Sequence, residues 1–187
     1  MDLIKSLPYV KNLSYFKKKY KALIYGLDAS GKTSILYKIK TSQFLKTVPT
    51  IGFNVETIEY KNNSITIWDI SARVESVHLR HYTPNTNAII IIVDSTDNDE
   101  RLMWLKSTII KYLDTAFYDY TNELVILFYF NKSDLPNSRT NQELCEKLEL
   151  NNIIPYTFHC QSCSALVGGS GLNEGLDWLI YNLRQKN

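Results

Sequence analysis

The chain has 187 residues, 21 Lys+Arg against 19 Asp+Glu, and a net charge of +2. That length suits one domain whose core needs neither disulfide nor metal. The near-balance of charge argues against a dedicated nucleic-acid binder, which carries a basic stripe. A composition of 44% hydrophobic and 21% charged residues excludes a disordered chain. Three cysteines fit reduced thiols in a reducing compartment rather than a disulfide scaffold.

At the N-terminus, Leu3, Ile4, Leu7 and Val10 fall along one side of a short helix that Pro8 bends or ends. The basic run Lys17-Lys18-Lys19 follows. Two readings stand: a helix that touches a membrane or a partner, and a segment that packs on its own domain. Asp2 removes the Met-Gly start that N-myristoylation needs, and the h-region and cleavage site of a signal peptide are missing.

Beyond it, β-rich apolar runs predict strands at Lys21–Tyr25, Phe53–Tyr60, Ser64–Ile70, Ala88–Asp94, Leu124–Asn131 and Pro155–His159. Helical patterns cover Lys32–Thr41, Asp99–Phe117, Gln142–Leu148 and Leu172–Gln185. Asn62-Asn63 reads as a hairpin turn between the second and third strands. The alternation predicts an α/β layered domain with a mostly parallel sheet and one antiparallel edge. The apolar run Ala88–Val93 fills a buried strand but is too short to span a bilayer.

The first strand ends in Gly26-Leu27-Asp28-Ala29-Ser30-Gly31-Lys32-Thr33, and a helix follows. This is G-x-x-x-x-G-K-[ST] in strand–loop–helix context. The glycines let successive N–H groups turn toward phosphate oxygens, and the helix N-terminus adds its positive dipole end. Lys32 reaches the β- and γ-phosphates, and the Thr33 hydroxyl binds Mg²⁺. The motif specifies a nucleoside triphosphate, not the base or the reaction.

The base is read further on. The fifth strand runs into Asn131-Lys132-Ser133-Asp134. A carboxylate only accepts hydrogen bonds. Guanine offers it two adjacent donors, N1–H and the 2-amino group, whereas adenine leaves the charge unpaired. Such a mismatch discriminates by ~10⁴ or more. Asn131 ties loops together near the base edge, and the Lys132 stem lies along the base's face. These residues weigh against a P-loop kinase or ATPase.

Together, Gly26–Thr33, Val48-Pro49-Thr50-Ile51-Gly52-Phe53-Asn54, Trp68-Asp69, Asn131–Asp134 and Gly171-Leu172-Asn173-Glu174-Gly175-Leu176-Asp177-Trp178-Leu179 resemble a small GTPase of the Arf/Arl family. The resemblance implies a P-loop G domain over residues 17–187, with a six-stranded, mostly parallel sheet and helices on both faces. It also implies an amphipathic N-terminal helix within residues 1–16. The implied function is a GTP/GDP switch with Mg²⁺ that regulates vesicle trafficking from the cytoplasm, with peripheral contact to internal membranes through Leu3, Ile4 and Leu7. Nucleotide contacts carried over fall on Asp28, Ala29, Ser30, Gly31, Lys32, Thr33, Ser34, Thr50, Ala72, Asn131, Lys132 and Asp134. Thr33, Thr50 and, through water, Asp69 match the metal-holding positions. The third guanine contact is a backbone N–H in Cys163-Ser164-Ala165 or in Ser164-Ala165-Leu166. Phe53, Trp68 and Tyr82 match an aromatic trio that meets effectors, and exchange factors and GAPs are further partners. The family also slides its hairpin, here Asn54–Trp68, when GTP binds.

The pattern breaks after Asp69. Where the family reads Val-Gly-Gly-Gln, this chain reads Ile70-Ser71-Ala72-Arg73. Ala72 keeps the N–H that faces the γ-phosphate but restricts the backbone swing that glycine allows. The family's Gln orients the attacking water. Arg73 only donates hydrogen bonds, so it cannot accept one from that water. It stabilises phosphate charge at best. The expectation is GTP hydrolysis slowed ~100-fold or more, about 2.7 kcal/mol of transition-state stabilisation. The alternative is a hydrolysis-deficient scaffold held in one nucleotide state. Cys160-x-x-Cys163 beside His159 lacks a second ligand pair and reads as ordinary thiols, and His78 and His81 read as surface residues.

Overall fold

The computed structural model describes residues 17–71, 74, 78, 80–117 and 124–186. Its six strands are β1 (Lys18–Tyr25), β2 (Phe53–Tyr60), β3 (Asn63–Ile70), β4 (Ala88–Asp94), β5 (Val125–Asn131) and β6 (Thr157–Ser162). They form one sheet in the order β2-β3-β1-β4-β5-β6. Only β2 runs antiparallel, against β3; the other pairings are parallel. The described helices are α1 (Lys32–Thr41), α2 (Asp99–Ala116), α3 (Asn141–Lys147), α4 (Leu150–Ile153) and α5 (Ser170–Gln185). None of the described helices is long and apolar enough to cross a membrane.

Strand periodicity divides the core into two layers. On β1, Leu23 and Tyr25 face one layer and Ala22 and Ile24 the other; β4 splits in the same way into Ile89, Ile91 and Val93 against Ala88, Ile90 and Ile92. The first layer is closed by Leu102, Leu105, Ile109, Tyr112 and Leu113 of α2, spaced at three and four residues as a buried helical stripe requires. The second is closed by Ile35 and Leu36 of α1 and by Leu172, Leu176, Leu179, Ile180 and Leu183 of α5. Central strands buried on both faces carry unbroken apolar runs, which is why β4 and β5 read so clearly.

Several boundaries differ from expectation, among them the start of β1, which lies at Lys18 rather than Lys21 because Lys18, Lys19 and Tyr20 pair with Asn63, Ser64 and Ile65 of β3. The hairpin turn centres on Lys61 and Asn62, whose φ values are 44° and 62°; two such residues make the primed turn that matches strand twist. Asn63 instead opens β3, opposite Tyr60 and Lys18, and its buried Nδ2 donates to the Tyr60 and Lys61 carbonyls. The last strand lies at Thr157–Ser162 because its partners are Val125–Phe130, whereas Pro155 has no N–H to bring to a ladder. The short helix α4 was not predicted; four residues are too few to show a period. The expected N-terminal helix, with Leu3, Ile4 and Leu7, lies outside the described residues, as do Ala72 and Arg73.

Candidate nucleotide-binding site

Parallel strands end on one side, and the site forms there. Register places Ile24 beside Asp69, Asp94 beside Asn131 and Phe130 beside Ser162. The loops that follow β1, β3, β4, β5 and β6 therefore share one edge.

The loop after β1 is held by close backbone approaches. A Cβ on Gly26, at φ 146°, would lie 2.3 Å from the Ile92 carbonyl oxygen; one on Gly31, at φ 94°, would lie 2.3 Å from Asn131 Nδ2. Only glycine fits either place without moving its neighbour. Ser30 Oγ donates to the Leu27 carbonyl at 2.9 Å. Lys32 Nζ curls back onto the carbonyls of Gly26 and Leu27, at 3.0 and 2.8 Å. Burial pulls the Lys32 ammonium below its ordinary range, with the Asp69 and Asp28 charges opposing that fall. No side chain caps the start of α1. Its first N–H groups and the buried ammonium make an anion cradle. Asp28 and Ala29 are exposed at the rim, and Ser34 Oγ lies 3.3 Å from Thr47 Oγ1.

Beside the cradle, Thr33 Oγ1 donates to Asp69 Oδ2 at 2.5 Å and lies 3.0 Å from Thr50 Oγ1, which is 3.4 Å from the same carboxylate oxygen. The structure thus gathers Thr33, Thr50 and Asp69, which come from α1, the loop before β2 and β3. Asp69 is fully buried, and its Oδ1 has no hydrogen-bond partner among the described residues. Burial raises its carboxyl above the ordinary range, against the Thr33 bond, the Lys32 charge and the Thr50 bond. An all-oxygen set with an unpaired buried carboxylate oxygen fits a hydrated Mg²⁺.

The base end is knit by Asn131. Its Nδ2 donates to the Ser30 carbonyl at 2.8 Å and its Oδ1 accepts the Ala165 N–H at 3.0 Å. One buried amide therefore joins the loops after β1, β5 and β6. Lys132, at φ 64°, sends its ammonium to Asp94, whose other oxygen accepts from Thr96 N and Oγ1 at 2.9 and 2.7 Å. Ser133 donates through N and Oγ to the Cys163 carbonyl, at 3.1 and 2.8 Å. Ser164 Oγ accepts from Val167 N at 3.0 Å. Asp134 is exposed at the same edge, and its charge adds to burial in pushing the Cys163 thiol above its ordinary range.

Sequence reasoning missed Arg101 on α2. Its Nη2 donates to the Asp28 carbonyl at 2.9 Å, its Nη1 reaches Asp28 Oδ1 at 3.4 Å, and its Nε donates to Asp97 at 2.6 Å. No motif marks a helical arginine as a brace for a loop 73 positions away. Asp94 was also missed, though an aspartate closing a buried strand is a readable signal.

A sequence model of the ADP-ribosylation factor family matches residues 7–183. The chain belongs to the ADP-ribosylation factor family. Its fold is also that of the Arl6 BBS3 small GTPase from Trypanosoma brucei, solved with the nucleotide analogue GppNp: 30% identity, TM-score 0.81, over 91% of this chain and 100% of that one. The fold class and the resemblance read from the sequence are thereby borne out, and with them membership in a family of GTP-binding switches.

Away from the cradle, Phe53, Trp68 and Tyr82 form one aromatic group. Phe53 stacks on Trp68 at 5.3 Å between centroids, and Tyr82 meets both edge-on at 5.6 and 6.0 Å. Lys21 Nζ sits 4.9 Å from the Trp68 ring centre and donates to the Tyr82 and Pro84 carbonyls. Phe53 is half exposed, and Val48 and Ile51 of the preceding loop are largely exposed. His78 and His81 are exposed, and their rings stack at 6.4 Å.

Proposed function

We propose that this chain is a guanine-nucleotide switch that takes GTP and GDP with Mg²⁺ and hydrolyses GTP slowly. The observation that carries the reading is Asn131, which binds the phosphate loop with one end of its amide and the Ala165 N–H with the other. Asp134 stands at the end of the same motif, where its carboxylate can accept both guanine donors.

Lys32, whose ammonium lies against the Gly26 and Leu27 carbonyls, and the start of α1 receive the β- and γ-phosphates. Thr33, Thr50 and Asp69, the last through water, hold the Mg²⁺, which neutralises phosphate charge. Because Thr50 lies just ahead of β2 and Asp69 is the penultimate residue of β3, a change at the phosphates reaches Phe53 and Trp68 on the same hairpin. That aromatic group is the proposed effector surface. Exchange factors and GAPs are the proposed regulators. By residue chemistry alone, alanine at position 72 keeps a backbone N–H but lacks the freedom of glycine, and arginine at position 73 can stabilise phosphate charge but cannot accept a hydrogen bond from water. The proposed setting is the cytoplasm and internal membranes, in vesicle trafficking, with Leu3, Ile4 and Leu7 as the contact.

Affinities for GTP, GDP and ATP, with single-turnover hydrolysis for the native chain and Arg73→Gln, test the reading. Guanine nucleotides should bind ~10⁴-fold more tightly than ATP, and the variant should hydrolyse ~100-fold faster. Equal ATP affinity sinks the guanine assignment. Native hydrolysis as fast as the variant's sinks the slow-turnover assignment, and no turnover in either favours the scaffold. Liposome binding that is equal with GDP and a non-hydrolysable GTP analogue removes the membrane proposal.

A further inference from the structure

The nucleotide site uses the loop around Cys163 but neither of the other two cysteines. Cys145 lies on α3 and Cys160 on β6, and their Sγ atoms are 3.2 Å apart. Both are half-buried, and both pack on the core layer closed by α2. A disulfide needs about 2.05 Å between sulfurs, so the pair closes by little more than an ångström. The elements can make that approach. α3 is a seven-residue helix, and β6 is an edge strand that, among the described residues, pairs only with β5. A metal reading fails for want of ligands: among the described residues, no three His, Cys, Asp or Glu side chains gather.

The two thiols are unequal. In their contact the Cys145 thiol donates to Cys160 Sγ; that contact and burial push the Cys160 thiol above its ordinary range and leave Cys145 the easier to ionise. Cys145 is therefore the nucleophile, since the thiolate is the reactive form.

We propose that Cys145 and Cys160 form a reversible intramolecular disulfide when the protein meets a peroxide. The Cys145 thiolate attacks one peroxide oxygen and the O–O bond breaks. This leaves a sulfenic acid on Cys145 and a hydroxide that takes up the proton Cys145 released, forming water. Cys160 then loses its proton and attacks the Cys145 sulfur; the S–S bond forms, the S–O bond breaks, and the departing hydroxide takes that proton as a second water. Two thiols lose two electrons and two protons, and hydrogen peroxide becomes two waters. The bridge ties α3 to β6 two residues before Ser162, whose hydroxyl already meets Asn141 of α3.

The test treats the purified full chain with hydrogen peroxide, removes the excess with catalase, and counts thiols after denaturation. The count should fall from three to one, and dithiothreitol should restore it. Alkylation and peptide mapping should place the bridge between Cys145 and Cys160 within one chain, with Cys163 alkylated. In Cys145→Ser the two remaining thiols should persist. The proposal is overturned if Cys145 and Cys160 stay alkylatable, if the bridge includes Cys163, if it joins two chains, or if sulfinic or sulfonic acid forms in its place.

Discussion

Asn131 Nδ2 donates to the Ser30 carbonyl at 2.8 Å, across 101 positions of sequence. The two residues do not neighbour one another in any helix or ladder, so the bond fixes how the phosphate loop sits against the end of β5. Asn131→Ala removes it and also strands the Ala165 N–H. Each buried group left without a partner costs about 1–3 kcal/mol. The expected result is a loss of about 2–4 kcal/mol in urea denaturation, and guanine-nucleotide affinity lowered ~100-fold or more in a GDP titration. Native-like GDP affinity would refute the role of the amide as the joint between the loops.

Lys32 gives a contrast, because its charge works against the fold. A buried ammonium is desolvated, and the two carbonyls it meets return only part of that cost. Lys32→Met keeps the stem and removes the charge. The nucleotide-free chain should melt no lower than the native one. Affinity for GTP and GDP should fall by at least ~10²-fold, since a charge-assisted bond to phosphate contributes about 1.5–3 kcal/mol and the proposed role gives Lys32 two such bonds, to the β- and γ-phosphates. A variant that binds GDP normally would remove Lys32 from the phosphate site.

The sheet and four helices were legible because each carries a strong period or an unbroken apolar run, as on β4 and β5. The phosphate and base motifs were legible because their residues are contiguous. What escaped depends on pairing across the chain. The polar stretch Cys160-Gln161-Ser162 becomes strand only through the register that β5 imposes. Arg101 braces Asp28 only once α2 has docked. The coming-together of Thr33, Thr50 and Asp69 was expected from resemblance, and no local pattern encodes it. The membrane-helix and Arg73 expectations lie outside the described residues.

Gly175 shows packing overriding propensity. In α5 an alanine should be favoured by about 1 kcal/mol over glycine. A Cβ there would lie 2.5 Å from Tyr129 Cε1 and 2.7 Å from its hydroxyl. That ring is fully buried, and its hydroxyl donates to the Leu172 carbonyl at 2.6 Å, so it has nowhere to turn. Overpacking of this kind costs about 1–3 kcal/mol. Gly175→Ala should therefore lower Tm by several degrees, at about 2–4 °C per kcal/mol for a chain of this size. Scanning calorimetry checks it; a raised Tm would show that α5 moves aside and that propensity wins.

The ion pair between Lys40 of α1 and Glu56 of β2, at 2.5 Å, predicts a pH-dependent stability. The Lys40 bond is the largest influence on Glu56 and holds its carboxyl below the ordinary 4.5; partial burial opposes it, and bonds from Asn54 and Tyr37 assist. A carboxyl lowered on folding stabilises the native state above its unfolded pKa, and that contribution is lost as pH falls through the folded value. Native protein should thus exceed Glu56→Gln by a constant margin above about pH 4.5. The margin should shrink toward zero at lower pH. Lys40 is substantially exposed, so solvent screening keeps the margin near 0.5–1 kcal/mol. It should also fall in 1 M NaCl, where the screening length is about 3 Å. Parallel urea titrations from pH 3 to 7 give the curve, and a margin that persists unchanged at pH 3 would show that shape, not charge, makes Glu56 matter.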